Sequence, residues 1–215
     1  NNLGNALGAQ GERLGGEAGA ALLGEAVAAY RAALRVWTEA AHPVAWAMTQ
    51  NNLGNALRAQ GARLGGEAGA ALLGEAVAAH RAALRVRTEA AHPVAWATTQ
   101  NNLGNALRAQ GERLGGEAGA ALLGEAVAAF RAALRVRTEA AHPVDWAMTT
   151  GNLGLVHAAQ AENGAGVDGC AALREAAACI EAALRGFDPA HMPFNHAKAA
   201  ASLARVRDRI ARECA

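Results

Sequence analysis

Apolar and polar residues recur along this chain with a helical period. At about 100° per residue, Trp46, Leu53 and Leu57 fall within about 40° of one another, while Asn51, Asn55 and Arg58 fall within about 60° on the opposite side. Asn52 lies between the two faces, and Met48 joins the polar one. The same arithmetic holds fifty residues later for Asn101, Asn102, Asn105 and Arg108. The pattern predicts a first helix from Pro93, a residue suited to an opening turn, to about Arg113, where Leu114-Gly115-Gly116 breaks it. A second helix is expected from about Ala118 to Ala140, stopping before His142-Pro143, because the residue ahead of a proline disfavours the α region. Alanine-rich interiors support both, and no stretch alternates like a strand.

These two helices are one unit of a repeat. Residues 1–50 align without gaps on 51–100 and differ only at positions 8, 12, 30, 37 and 48; residues 101–150 are as close to 51–100. A degraded copy follows, in which Leu153-Gly154, Ala176, Pro193 and Leu203 keep the period of 50. Self-similarity at this spacing marks units that bury their apolar faces against their neighbours. The expected fold is all-α: one right-handed α-solenoid of antiparallel helix pairs over 1–215. Its repeat units are 1–50, 51–100 and 101–150, with a degenerate fourth unit at 151–189 and a capping helix at 190–215. About nine helices follow, the last from about Ala190 to Glu213 and made highly charged by Arg205, Arg207, Asp208, Arg209 and Arg212.

Composition narrows the class. Twenty basic and nineteen acidic side chains leave a net charge of +1, with no electrostatic case for nucleic acid or an anionic membrane. No apolar run approaches the roughly 18 residues of a membrane span, and no signal peptide precedes Asn1. Cys170, Cys179 and Cys214 match no disulfide or CxxC spacing, which points to a reducing, cytoplasmic setting, with Cys170 and Cys179 as small core residues in place of alanines. Trp46, Trp96 and Trp146 recur on the apolar side and are packing residues. His80, at the position of Tyr30, Phe130 and Ile180, reads as a packed, partly exposed ring; His42, His92 and His142 read as turn residues. Asp145 has no regular acidic partner, no Ser or Cys sits near a plausible His base, and no phosphate loop follows a strand, so an enzyme is not expected, nor a cofactor or metal.

The spacing Leu53-Gly54-x-x-Leu57, Ala76-x-x-x-His80, Pro93 resembles the tetratricopeptide repeat, and it recurs as Leu103, Gly104, Leu107, Ala126, Phe130 and Pro143. The His-Pro followed by Asn-Asn-Leu in "VRTEAAHPVAWATTQNNLGNAL" is similar to the kinesin-light-chain subtype. The unit is longer than the usual 34 residues, with the surplus between Leu57 and Ala76. The resemblance implies that first helices line a concave surface and that Gly54 lets the paired helices approach, near Ala76. It also implies binding of an extended protein or peptide segment, with inner-face amides hydrogen-bonding its backbone. By residue matching this role falls to Asn51, Asn55, Asn101 and Asn105, with Asn1, Asn2, Asn5 and Asn152 weaker members. Met48, Asn52, Arg58, Asn102 and Arg108 complete the expected surface, the two arginines favouring spaced carboxylates. Gly151 and Leu155 replace two of the asparagines, so the amide row should end there.

Other readings of the same residues remain open. The amides can bond one another between neighbouring helices and set repeat spacing. The near-identical copies also suit a structural or self-assembling spacer, with homo-association through the apolar Leu3 and Leu7 flank, or the sensor arm of a larger bacterial signalling protein.

Overall fold

The computed structural model describes residues 1–214, and among them run nine α-helices and no strand. They are α1 (Asn2–Arg13), α2 (Gly16–Val36), α3 (Pro43–Arg63), α4 (Gly66–Val86), α5 (Pro93–Leu114), α6 (Gly116–Val136), α7 (Pro143–Asn163), α8 (Gly169–Gly186) and α9 (Pro193–Glu213). The fold is an all-α solenoid of antiparallel helix pairs, in two compact units, 1–110 and 111–215. No helix is long and apolar enough to cross a membrane.

The corners explain where the helices stop. Gly16, Gly66 and Gly116 take left-handed backbone (φ +61°, +60° and +55°), which reverses the chain within three residues of the preceding helix. The second helices end at Val36, Val86 and Val136, the last four residues before the Ala140 expected from the His142-Pro143 step. There Thr38, Thr88 and Thr138 divert the chain: each hydroxyl accepts from the amide three residues on (3.2 Å), and each carbonyl accepts from the following histidine amide (2.9 Å). This local bonding competes with helix continuation. Asp188 does the same work before α9, accepting from the amides of Ala190 and Met192.

In the first unit α1 packs on α2, α2 on α3 and α3 on α4. The paired helices meet where a glycine faces a ring. A Cβ added at Gly4 would lie 2.7 Å from Tyr30, and one at Gly54 the same distance from His80, so the close contact expected near Ala76 falls on the ring of His80 instead. Trp46 and Ala47 pack with Ala83, and Arg85 lies 5.0 Å above the Trp46 ring while pairing with Glu39. Exposed pairs of this kind, Arg31–Glu75 included, contribute little each. His80 is not partly exposed as its sequence position suggested but fully enclosed, because the repeats stack over it on both sides. Neither ring nitrogen has a hydrogen-bond partner. Burial, aided by the charges of Arg58 and Arg87, lowers its pKa to about 3.

In the second unit α6 packs on α7, α7 on α8 and α8 on α9. Gly154 faces Ile180, with a would-be Cβ 2.8 Å from its Cγ1 and 3.0 Å from the Ala176 carbonyl. Leu203 and Val206 of α9 close over Leu173 and Ile180. Outside, α9 carries Arg207 paired with Glu181 and Arg212 with Asp208. Asp145 is not solitary: it stands 3.7 Å from the buried guanidinium of Arg137, which also donates to Thr149. The start of α8 departs from the other second helices, since Asp168 caps it by accepting from Cys170 and Ala171. Beside that cap, Cys170 is joined to Cys214 in a disulfide. This corrects the expectation of unpaired cysteines and of Cys170 as a small core residue, and it removes the ground for a reducing compartment. The partners are 44 residues apart and form no motif; the return of α9 along α8 brings their Cα atoms to 5.6 Å. Cys179 is free and half-buried.

Two measurements check this packing. His80→Phe, which installs the residue buried at position 130, is expected to raise stability at pH 7 by about 1–3 kcal/mol by removing two unsatisfied buried nitrogens. It should also flatten the pH profile. The unfolded imidazole binds a proton below about 6.5 and the folded one only near 3, so the parent loses stability as pH falls between those values. Urea melts at pH 7 and pH 4.5 showing equal losses for both proteins would refute this. Cys214→Ser, or reduction, is expected to cost about 2–4 kcal/mol by freeing the unfolded chain; coincident thermal melts with and without reductant would show that the bond is not formed.

Candidate functional site

α3 shows how the first unit disposes its polar residues. It is flanked by α2 and α4, by α1 and by α5, so only one line of side chains is left toward solvent. That line is Met48, Asn52, Asn55, Ala59 and Ala62, with Met48 39% exposed. Steps of four and three residues keep it on one stripe. On α5 the corresponding stripe carries Thr98, Asn102 and Asn105.

Asn51 and Asn101 are not on it. They are 5% and 8% exposed and turned toward neighbouring helices, whereas Asn52 and Asn102, read from sequence as lying between the faces, turn outward. The reason is geometric: a helix packed on three sides has an apolar arc wider than a two-faced helix, and the arc reaches past position 51. The amides then form a chain. Asn101 Nδ2 donates to Asn102 Oδ1 (3.4 Å), Asn102 to Asn51 (3.1 Å), Asn51 to Asn52 (3.4 Å) and Asn52 to Asn5 (3.2 Å), whose Oδ1 also accepts from the Tyr30 hydroxyl (2.7 Å). Asn1 donates to Thr49 (2.8 Å), tying α1 to α3 a second time. Asn2 is exposed on α1.

Asn55, Asn105 and Arg58 remain. They are half-buried on the same face, and none makes a hydrogen bond to another described residue. Burial pulls the Arg58 pKa down, the carboxylate of Glu12 opposes that pull, and the charge of Arg108 adds to it. A hollow of about 190 Å³ opens beside Asn55, bordered also by Asn5, Glu12, Tyr30 and Asn52. Its borders carry amide donors and acceptors, a phenol and one carboxylate. Such a surface can hydrogen-bond a peptide backbone, and Arg58, on the same helix face as Asn55, can pair with a carboxylate.

The second unit presents different chemistry on the corresponding helices. Asn152 is half-buried at the edge of a cavity of about 280 Å³ between α7, α8 and α9, walled by Met148, Leu155, Phe187 and Phe194 and rimmed by Asn195 and Lys198. Sequence reasoning missed this cavity. The signal was present in Gly151 and Leu155, which were read only as the end of the amide row. Among the described residues no cluster of three or more His, Cys, Asp or Glu side chains could hold a metal ion.

Asn51→Ala tests the amide chain. The change gains several tenths of a kcal/mol in helix propensity, but it strands the Asn102 donor and the Asn52 acceptor. The expected net effect is a loss of about 1–2 kcal/mol in chemical denaturation; a variant as stable as the parent would show that the chain contributes nothing.

Compared with known proteins, the chain matches no protein-family model and no curated protein.

Proposed function

We propose that this chain is a non-enzymatic scaffold, of the tetratricopeptide type and nearest the kinesin-light-chain subtype, that binds an extended protein or peptide segment along the first helices of its first unit. The observation that carries this reading is the division among the asparagines. Asn51, Asn52, Asn101 and Asn102 are engaged in the scaffold, while Asn55 and Asn105, one repeat apart and identically placed on α3 and α5, keep their amides available. An uncommitted amide in mid-helix costs helix propensity and returns nothing to the fold, so a ligand is its natural partner. Arg58 beside them favours a segment with an acidic side chain. No cofactor belongs to this reading.

The amide chain itself favours a second reading, a structural spacer. It fastens α1, α3 and α5 together, which a rigid, self-associating array would use. Leu3, 65% exposed on α1, is the residue such an association would cover.

One double variant separates the two. Asn55→Ala with Asn105→Ala is expected to melt no lower than the parent, since Ala is the better helix former. A peptide selected on the parent from a random display library should bind it more weakly by about 0.5–1.5 kcal/mol per lost hydrogen bond. Unchanged affinity with a lower melting temperature would sink the binding reading, and a concentration-dependent mass in sedimentation would favour the spacer.

A further inference from the structure

We propose that the second unit holds a separate binding site, in the cavity between α7, α8 and α9, for a small amphiphilic carboxylate: a compact aryl or alkyl body carrying one negative charge. The inference goes beyond peptide binding in the first unit and does not rest on it. Three departures from the repeat converge on this cavity. Gly151 stands where Asn51 and Asn101 stand in the earlier copies, and it lines the cavity without a side chain. Leu155 replaces Asn55 and Asn105, turning an amide wall into an apolar one. Lys198, the only lysine of the chain, occupies the position of Met48, Thr98 and Met148 and sits at the rim.

The chemistry of the occupant follows. The deep wall is buried and apolar, with Ile180 and Phe187 1% and 6% exposed, while Met148 and Phe194 are 42% and 76% exposed and so have surface to cover. Covering them with an apolar body removes that surface from water. Lys198 is the sole charged residue at the cavity, no carboxylate opposes it, and the Asn152 and Asn195 side chains stand near. One cation and no acid select a monoanion, held by a charge-assisted hydrogen bond. A volume of about 280 Å³ lies at the lower edge of small-molecule sites. A peptide is the poorer occupant, because the amide that would receive its backbone, at Asn55 and Asn105 in the earlier copies, is replaced here by Leu155.

The full chain, disulfide intact, is titrated with 4-phenylbutyrate and with its neutral counterpart 4-phenylbutanol, followed by calorimetry and by NMR shifts. The acid should bind saturably at one site, about five-fold or more tighter than the alcohol, with shifts at Leu155 and Phe187. Lys198→Met should abolish the preference for the acid, and Leu155→Asn should weaken both probes by about five-fold or more. Both substituted residues already occur at these positions in other repeats, so the fold is expected to persist, and circular dichroism confirms it. The proposal is overturned by no saturation of the acid up to about 10 mM, by equal affinity for acid and alcohol in the parent, by a preference that survives Lys198→Met, or by shifts at Asn52 and Asn55 instead. Asn55→Ala with Asn105→Ala leaves this site untouched, so the two binding proposals fail independently.

Discussion

A helix packed on three sides has room for polar residues only if they satisfy one another, and α3 is such a helix. A buried amide left without a partner costs about 1–3 kcal/mol, more than the several tenths that asparagine forfeits in helix propensity. The chain of hydrogen bonds from Asn101 to Asn5 is the arrangement that meets this demand. It also fixes register, because an amide displaced along the helix axis would meet an apolar neighbour instead of its partner. The recurrence of Asn-Asn at each fifty-residue step is therefore a packing requirement first, and only Asn55 and Asn105 are left over for other work.

The separation of the helices within a pair is also limited by the contact of a glycine with the side chain at position 30, 80 or 180. Tyr30 has its hydroxyl bonded to Asn5 and Ile180 has no polar atom, so both fill the space at no polar cost. His80 fills it with two nitrogens that find nothing to bond. The backbone contact at Gly154, 3.0 Å from the Ala176 carbonyl, shows how little slack this junction has. Nearly identical repeats thus differ in stability through one side chain.

The two units share an architecture and differ in what they display. In the first, the solvent-facing stripe is built of amides with an arginine nearby. In the second, loss of the Asn51 side chain at Gly151 and substitution of Leu155 convert the corresponding surface into an apolar cavity, completed by Phe187, Phe194 and Lys198. Degeneration of a repeat is then a change of chemistry rather than a loss of it, because the helix that carries the substitutions still packs between its neighbours α6, α8 and α9.

How much of this was legible depended on the range of the interactions. Helix number, the proline starts, the glycine breaks and the repeat period follow from local rules, since proline geometry, left-handed backbone and a 3.6-residue period are properties of neighbouring residues. The threonine stops after Val36, Val86 and Val136 were also local, but the expected end was set by the His-Pro step that follows them. Asn51 was placed on the wrong side of the helix because a two-faced projection counts one packing partner where α3 has four. The burial of His80, the meeting of Cys170 with Cys214 and the cavity under Phe194 join residues from different helices. By itself the sequence determined which segments coil and which faces are apolar; only the tertiary structure decided which polar groups are enclosed, paired or left for a ligand, because enclosure is a property of the neighbours a helix acquires and not of the helix.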